Sequence, residues 1–181
     1  MGNKGTAWIA WSLLTAASTA GCAVGPSLEV PDNSTRICQS TLAGDTDYWF
    51  GVPITNTSPH AITLKSVQLG EHDHVKLSDV MVVPPMRLED GTTLGFGVTH
   101  DPAAQNAALW AGRQPVAAYR IPPTATVSLA IALRPEADDT GSVASEVITY
   151  RVDGEPRDRT ATSRLTLVLA SDCPAALEED V

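Results

Sequence analysis

Basic residues are scarce in this 181-residue chain, which has 12 Lys and Arg against 21 Asp and Glu and a formal net charge of −9. Nucleic acids and anionic lipid head groups are bound through basic patches, so this deficit argues against both as partners. The sequence also lacks the G-x-S-x-G, P-loop and G-x-G-x-x-G motifs that mark common catalytic and nucleotide-binding sites. We therefore expect one domain with no enzymatic activity and no required cofactor.

Apolar runs long enough to cross a membrane are also lacking. A spanning helix needs roughly 20 apolar residues, whereas the apolar segment near the N-terminus runs only from Ala7 to about Ala20. Lys4 precedes this segment and small residues follow it. This layout is typical of a secretory signal, so we predict that the domain is extracytoplasmic.

The four residues Thr19-Ala20-Gly21-Cys22 resemble the lipobox of bacterial lipoproteins, with Thr19 at the position where Leu is commonest. The resemblance implies removal of residues 1–21, attachment of diacylglycerol to the Cys22 thiol, and a stable anchor on the extracytoplasmic face of the cell membrane. The alternative is an ordinary signal peptide, cut between about Ala20 and Ala23, which would release a soluble secreted protein.

Three cysteines leave one unpaired if all of them are thiols in a secreted chain. If Cys22 carries lipid, Cys38 and Cys173 remain, and a disulfide is the natural state of such a pair in an oxidising compartment. Closing so long a loop would stabilise the fold by about 5 kcal/mol in the chain-entropy description. The alternative is a pair of buried free thiols.

Residues 22–37 contain Gly25, Pro26 and Pro31 but no sustained periodicity. We predict a flexible tether here, which reaches at most about 50 Å. The folded domain is then expected over residues 38–173, followed by a solvated acidic tail at 174–181. Asn33 and Asn56 each begin an N-x-Ser/Thr pattern, which we interpret as chance matches to a glycosylation signal.

Between Tyr48 and Ala170, apolar and polar residues alternate in short segments separated by turn residues, which is typical of strands in a sandwich. In the clearest segment, from Thr126 to Leu133, the pattern predicts one buried face and one polar face. The alternation slips near Lys65-Ser66 and again between Val75 and Val83. Each slip predicts a β-bulge.

A single short helix is predicted from Pro102 to about Ala111, with Asp101 as N-cap and Gly112 closing it. Pro53 places its strand at an edge or bulge, and Asp153-Gly154 predicts a hairpin turn. With no alternation of strands and helices, the fold class is all-β. We expect an antiparallel immunoglobulin-like β-sandwich of about seven or eight strands with one short helix.

A second set of motifs extends over most of the predicted domain. It consists of Ile54-x-Asn56, Pro59, Ile62-x-Leu64-x-x-Val67-x-Leu69, Val82-Val83-Pro84, Ile121-Pro122-Pro123 and Tyr150-x-Val152-x-Gly154. In these motifs the chain is similar to small actinobacterial lipoproteins with an immunoglobulin-like sandwich, which share a strand, a Pro-containing turn, a second strand and a later Pro-Pro step. The resemblance implies the fold and no functional residues.

The segment Glu71-His72-Asp73-His74 is the sharpest chemical candidate, since it holds two of the four histidines. Residues i and i+2 share one face of an extended strand, so His72 and His74 could bind one copper or zinc ion, with His100, Asp79 or Glu71 completing the shell. The alternative is a polar loop whose histidines titrate in water.

The aromatic run Tyr48-Trp49-Phe50 is the best candidate for a binding surface, because neighbouring residues of a strand point to opposite sides. The alternative is core packing of these rings. Asp139-Thr140-Gly141-Ser142 matches the aspartic-protease triplet, but a solvated turn explains it better because charged residues precede it.

Together these features predict a lipid-anchored, monomeric module of the cell envelope that binds an unknown protein or envelope ligand, or has a structural role. The rival hypothesis is a copper- or zinc-binding lipoprotein that uses His72 and His74. The third is a soluble secreted domain.

Overall fold

The computed structural model describes residues 26–32, 35–42, 46–136 and 140–178. The predicted signal segment, the lipobox with Cys22, Asn33 and Asp139 lie outside the described residues. The elements in chain order are β1 (Leu28–Glu29), β2 (Arg36–Ser40), β3 (Tyr48–Asn56), β4 (Ile62–Leu69), β5 (His72–Asp73), β6 (Val75–Val83), β7 (Met86–Arg87), β8 (Thr93–Leu94), β9 (Val98–Thr99), α1 (Pro102–Gln105), α2 (Ala107–Ala111), β10 (Gln114–Pro115), β11 (Arg120–Ile121), β12 (Thr126–Pro135), β13 (Gly141–Val143), β14 (Glu146–Val152), β15 (Arg159–Ser163), β16 (Thr166–Ala170) and α3 (Cys173–Glu178).

The first layer is an antiparallel sheet in the order β1-β3-β12-β6-β10, with β9 also paired to β3. Its longest pairing without a register shift joins β12 to β3, from Thr126 opposite Thr55 to Leu133 opposite Tyr48. Pro53 in β3 lies between the residues that pair with β1 and those that pair with β9. β3 is an inner strand of this sheet, which corrects the prediction that Pro53 places it at an edge or bulge. Pro53 is tolerated because that edge of β3 has no partner strand between its pairings with β1 and β9.

The second layer consists of two short sheets that meet end to end, β11-β4-β14-β15 and β2-β16-β13-β5. The chain passes from one to the other three times, through Gly70-Glu71, Ala144-Ser145 and Arg164-Leu165. Gly70 donates its backbone N–H to Ser145 O at 2.8 Å, and Ala144 donates to Glu71 O at 2.8 Å. The second layer is thus one sheet with a bend.

The connectivity is immunoglobulin-like. Strands β1, β3, β12 and β6 form one sheet in the order A-B-E-D, and β4, β14 and β15 supply C-F-G of the other. All of these neighbours are antiparallel, whereas β2 runs parallel to β16. The predicted all-β immunoglobulin-like sandwich is confirmed.

The main core lies between the two layers and is built from the in-phase apolar residues of every long strand. Both predicted bulges are present. Opposite β14, the register shifts so that Lys65 has no partner between Leu64 and Ser66. Opposite β12, it shifts at Ser78, between Leu77 and Asp79. Each bulge restores the inward phase of the residues that follow it.

Strand β12 is buried on both faces, which corrects the prediction of one polar face. Ala130 and Ala132, which point away from the main core, pack in a second apolar cluster. The connection between β6 and β12 covers this outer face. Gly51 makes that cover possible, because a Cβ at this position would lie 1.8 Å from the carbonyl oxygen of Phe96.

The predicted helix is present but broken in two. Asp101 caps α1 by accepting a hydrogen bond from Ala104 N at 3.0 Å, and Gly112 ends α2. Asn106 leaves the helical region between them, with φ −132° and ψ 37°. Asparagine is a poor interior helix residue because its side chain competes for the backbone.

The sandwich begins earlier than the sequence predicted. Leu28 and Glu29 pair with Asn56 and Thr55 of β3, and Leu28 is only 2% exposed. The boundary predicted at Cys38 and the flexible tether over residues 22–37 are therefore wrong for the described residues 26–32 and 35–37. A strand of two residues is too short for its periodicity to be read from sequence.

Cys38 and Cys173 form the predicted disulfide, with their Cα atoms 5.6 Å apart. It joins β2 to the first residue of α3, so it ties the two ends of the domain together. The predicted tail at 174–181 starts instead as helix α3, which extends to Glu178. Pro174 near its start is compatible with this helix, since a first-turn N–H has no intrahelical partner.

Candidate anchoring and binding surfaces

The chain joins the sandwich at the end that we call the proximal end, formed by residues 26–29, 57–61, 120–125 and 151–159. Thr57 fixes the arriving chain twice. Its backbone N–H donates to Ser27 O at 3.0 Å, and its hydroxyl donates to Pro26 O at 2.6 Å. The residue that leads toward Cys22 is therefore bonded to a loop of the domain.

Asn56 holds the loops of the proximal end together from a position with no solvent exposure. Its side-chain amide donates to the carbonyl oxygens of His60 at 2.9 Å and of Ile121 and Pro122 at 3.0 Å. Its side-chain oxygen accepts from Ser58 N at 2.9 Å. An amide buried in this way is not available for glycosylation.

Ion pairs arrange the charged residues of the proximal end. Arg159 makes two bonds of 2.7 Å to the Glu155 carboxylate and a third of 2.9 Å to Ser27 Oγ. Arg120 pairs with Asp153, and Arg151 pairs with Asp158 at 2.7 Å. With exposed Glu29 and Arg157 added, the proximal end holds equal numbers of arginines and carboxylates.

A cleft of about 600 Å³ opens between the arriving chain and these loops. Pro26, Thr57, Pro59, His60 and Glu155 are among its lining residues. We regard the cleft as a surface feature of the proximal end.

The aromatic run does not form an exposed surface, which corrects that prediction. Tyr48 and Phe50 have no solvent exposure and lie in the main core, while Trp49 is 9% exposed and faces the other way. Trp49 meets Trp110 of α2 edge to face, with ring centroids 4.7 Å apart. Alternation along the strand was predicted correctly, but the β6–β12 connection covers the outward ring.

The hairpin of β7 and β8 presents apolar side chains at the surface instead. Met86 pairs with Leu94. Leu88 directly follows β7 and donates its backbone N–H to Thr92 O at 2.8 Å, which continues the hairpin and places Leu88 in phase with Met86. Leu88 is 37% exposed and Leu94 is 38% exposed, whereas Met86 packs on the second apolar cluster. We call Met86, Leu88 and Leu94 the apolar hairpin face. Strands β7 and β8 have two residues each, so their sequence pattern is too short to predict this face.

The predicted metal ligands are not assembled into a site. His72 and His74 are both exposed, and His74 has a positive φ of 49°, so the alternation that would place them on one face stops there. His72 Nδ1 lies 2.9 Å from Gly70 O. Within the described ranges, no group of three or more His, Cys, Asp or Glu residues, with or without His100, is placed to hold a metal ion.

The sequence reading missed a buried carboxyl group, that of Glu146. Glu146 begins β14, lies beside the bend of the second layer and has no solvent exposure. Neither of its carboxylate oxygens accepts a hydrogen bond within the part of the chain that the structure describes. Burial raises the pKa of Glu146 to about 7, and the neighbouring Ser163 hydroxyl offsets part of this effect. Glu146 alternates in step with Ile148, Tyr150 and Val152, and this pattern in the sequence could have predicted that its side chain points inward.

No protein-family model matches the chain, and no curated protein matches it. Among solved structures it is similar to the "ASH / PapD-like domain of human CEP192 (PapD-like domain 7)", at 13% sequence identity and a TM-score of 0.40. That likeness covers 92% of this chain and 98% of the other. Over the described residues, no helix has the length and apolar character needed to span a membrane.

Proposed function

We propose that this chain is a lipid-anchored module of the cell envelope, held at the extracytoplasmic face through Cys22, which binds a protein or other envelope partner and catalyses no reaction. The disulfide is the observation that carries the proposal. Because Cys38 and Cys173 bond to each other, Cys22 is the one cysteine that remains for another role. It stands at the end of the lipobox-like segment.

The apolar hairpin face supports a binding role. Leu88 and Leu94 are two of the three large hydrophobic residues that are exposed within the described ranges. They extend from the second apolar cluster, whose rings and backbone fix the base of the hairpin. A two-stranded hairpin is marginally stable alone, so this packing gives a partner an ordered apolar surface.

One preparation tests both parts of the proposal. The protein is expressed as the full chain and extracted from membranes in mild detergent. Its mass is then measured by mass spectrometry, first under denaturing and then under native conditions. We expect a covalent mass of the chain from Cys22 onward, plus acyl groups and minus two hydrogens. An unmodified chain in the soluble fraction would instead support ordinary secretion.

The mass spectrum recorded under native conditions shows whether a partner stays bound. We expect a complex that is lost in the double variant Leu88→Ser/Leu94→Ser, whose covalent mass shows the same acylation. The matched control is Thr93→Ser on the opposite hairpin face, which should keep the complex. A complex that survives in the double variant would contradict the assigned surface.

The metal-binding rival has weaker support. Its two proposed ligands are exposed at the far end of the sandwich without a third ligand among the described residues. Structural zinc sites in proteins are almost always four-coordinate.

A further inference from the structure

We infer that the proximal end of the sandwich lies against the phospholipid surface and that the bend and the disulfide point away from it. This inference rests on the anchor at Cys22 proposed above. It adds an orientation of the domain relative to the membrane. It also assigns a partner to the loops at 57–61, 120–125 and 151–159, which would face the lipid head groups of the bilayer.

The length of chain between the lipid and the domain is the first argument. A tether of 22–37 would have let the domain turn freely at up to about 50 Å from the membrane. The structure shortens it, because Pro26 is already bonded to Thr57 and Leu28 is buried in the core. Four Cα–Cα steps separate Cys22 from Pro26, so the link spans at most about 14 Å.

The stiffness of the attachment is the second argument. The arriving chain is held by strand pairing to β3, by the two bonds of Thr57, and by the Arg159 side chain on Ser27. Pulling the proximal end away from the anchor would require breaking these contacts and exposing Leu28. A short link to a fixed point therefore sets which end of the domain is near the bilayer.

The distribution of charge is the third argument. The chain as a whole is strongly acidic, and an acidic surface is repelled from anionic lipids within about 10 Å at 0.1 M salt. The proximal end is locally balanced, since four of the nine arginines lie there with four carboxylates. The whole surplus of negative charge therefore lies elsewhere, so the proximal end approaches anionic lipid at the lowest electrostatic cost.

The native histidines supply reporters at both ends. His60 is exposed in the proximal loop 57–61, and His72 and His74 are exposed near the bend. The protein, labelled on its histidine rings, is placed in nanodiscs of phosphatidylcholine and phosphatidylglycerol that contain a gadolinium-chelating lipid. We expect the His60 ring signals to lose most of their intensity, while those of His72 and His74 persist.

A lengthened variant separates the reach of the link from other causes. Inserting about ten Gly and Ser residues between Cys22 and Pro26 should restore the His60 signals, because a flexible linker frees the domain to turn. Equal loss at His60 and at His72 and His74 in the unaltered protein would overturn the orientation.

Failure of the anchor is distinguishable from failure of the orientation. If the extracted protein carries no lipid, the proposed function fails, and the same chain is coupled through the Cys22 thiol to a maleimide phospholipid in the nanodisc. In that arm, persistence of the His60 signals would overturn the orientation, and their selective loss would uphold the geometry of the link.

Discussion

The two ends of the sandwich bury polar groups in opposite ways. At the proximal end, Asn56 is fully buried and satisfies three carbonyl oxygens and one backbone N–H. Near the bend, Glu146 is equally buried, yet its carboxylate oxygens accept no hydrogen bond in the described ranges. A satisfied buried group stabilises a fold, whereas an unsatisfied one costs free energy.

The difference extends to the neighbouring backbone. Loops at the proximal end converge on one side chain, while at the bend three strands break together and hydroxyl groups replace part of the ladder. Ser145 Oγ accepts from Glu71 N at 3.0 Å, and Ser163 Oγ accepts from Leu165 N at 3.3 Å. The disulfide lies on the same side of the molecule as the bend, so the half with the weaker polar network is the one with a covalent link.

Removing that link is the largest change that we predict. The double variant Cys38→Ser/Cys173→Ser should lose about 5 kcal/mol of unfolding free energy, since the bridge closes a loop over a sequence separation of 135 residues. Urea unfolding, followed by tryptophan fluorescence, measures the loss. Hydrogen exchange should rise first in β2, β16 and α3 and leave the proximal loops protected.

Ser171→Ala is the matched control, because it changes an exposed residue close to Cys173 without breaking the bridge. It should unfold as the parent chain does. If both variants had the same stability, or if hydrogen exchange rose equally at the two ends, the disulfide would not be what stabilises the half of the sandwich that lies opposite the proximal end.

Asn56→Ala should have the next largest effect. The variant loses the two amide hydrogens, which three carbonyl oxygens share, and the side-chain oxygen that accepts from Ser58 N. About three hydrogen bonds are therefore lost and their partners are left mostly buried, which at about 1 kcal/mol each destabilises the protein by about 3 kcal/mol. The measurement is again urea unfolding. Gln68→Ala removes an exposed amide from β4 and should change stability by less than about 0.5 kcal/mol. Equal effects of the two substitutions would remove the contrast between the ends.

Glu146 should make the stability of the protein depend on pH. Its pKa is raised in the folded state from 4.5 to about 7, so the folded protein binds the proton more tightly than the unfolded chain. The contribution of Glu146 to the free energy of unfolding is therefore fully present below about pH 4.5, and it falls by about 3 kcal/mol as the pH rises to about 7. Unfolding curves collected across this range measure the fall.

The variant Glu146→Gln should show a much flatter pH profile, because its amide does not titrate. Glu71→Gln, an exposed carboxylate near the same bend, is the control and should keep the parent profile. A parent protein whose stability rises between pH 4.5 and 7 would show that Glu146 is ionised without cost.

Much of the sandwich could be predicted from local patterns, because alternation with a period of two reports which residues of a strand share a face. The slips at Lys65 and in β6 located both bulges, and Asp101 and Gly112 located the ends of the helical segment. Burial of the outer face of β12 could not be predicted in this way. It depends on where a connection of about 40 residues folds back, and Ala130 and Ala132 fit a covered or a solvated face equally well.

By itself, the sequence determined the long strands between Tyr48 and Ala170, the bulges, the cysteine pair and the lipobox-like segment, because each depends on neighbouring residues or on covalent chemistry. Tertiary structure decided what the in-phase polar residues do. Asn56 and Glu146 both occupy inward positions of their strands. Only the packing of distant loops gives the Asn56 amide its partners and leaves the Glu146 carboxylate without one among the described residues. Tertiary structure also decided that Leu28 and Glu29 join the sandwich, because pairing with β3 and burial of Leu28 in the core stabilise them there.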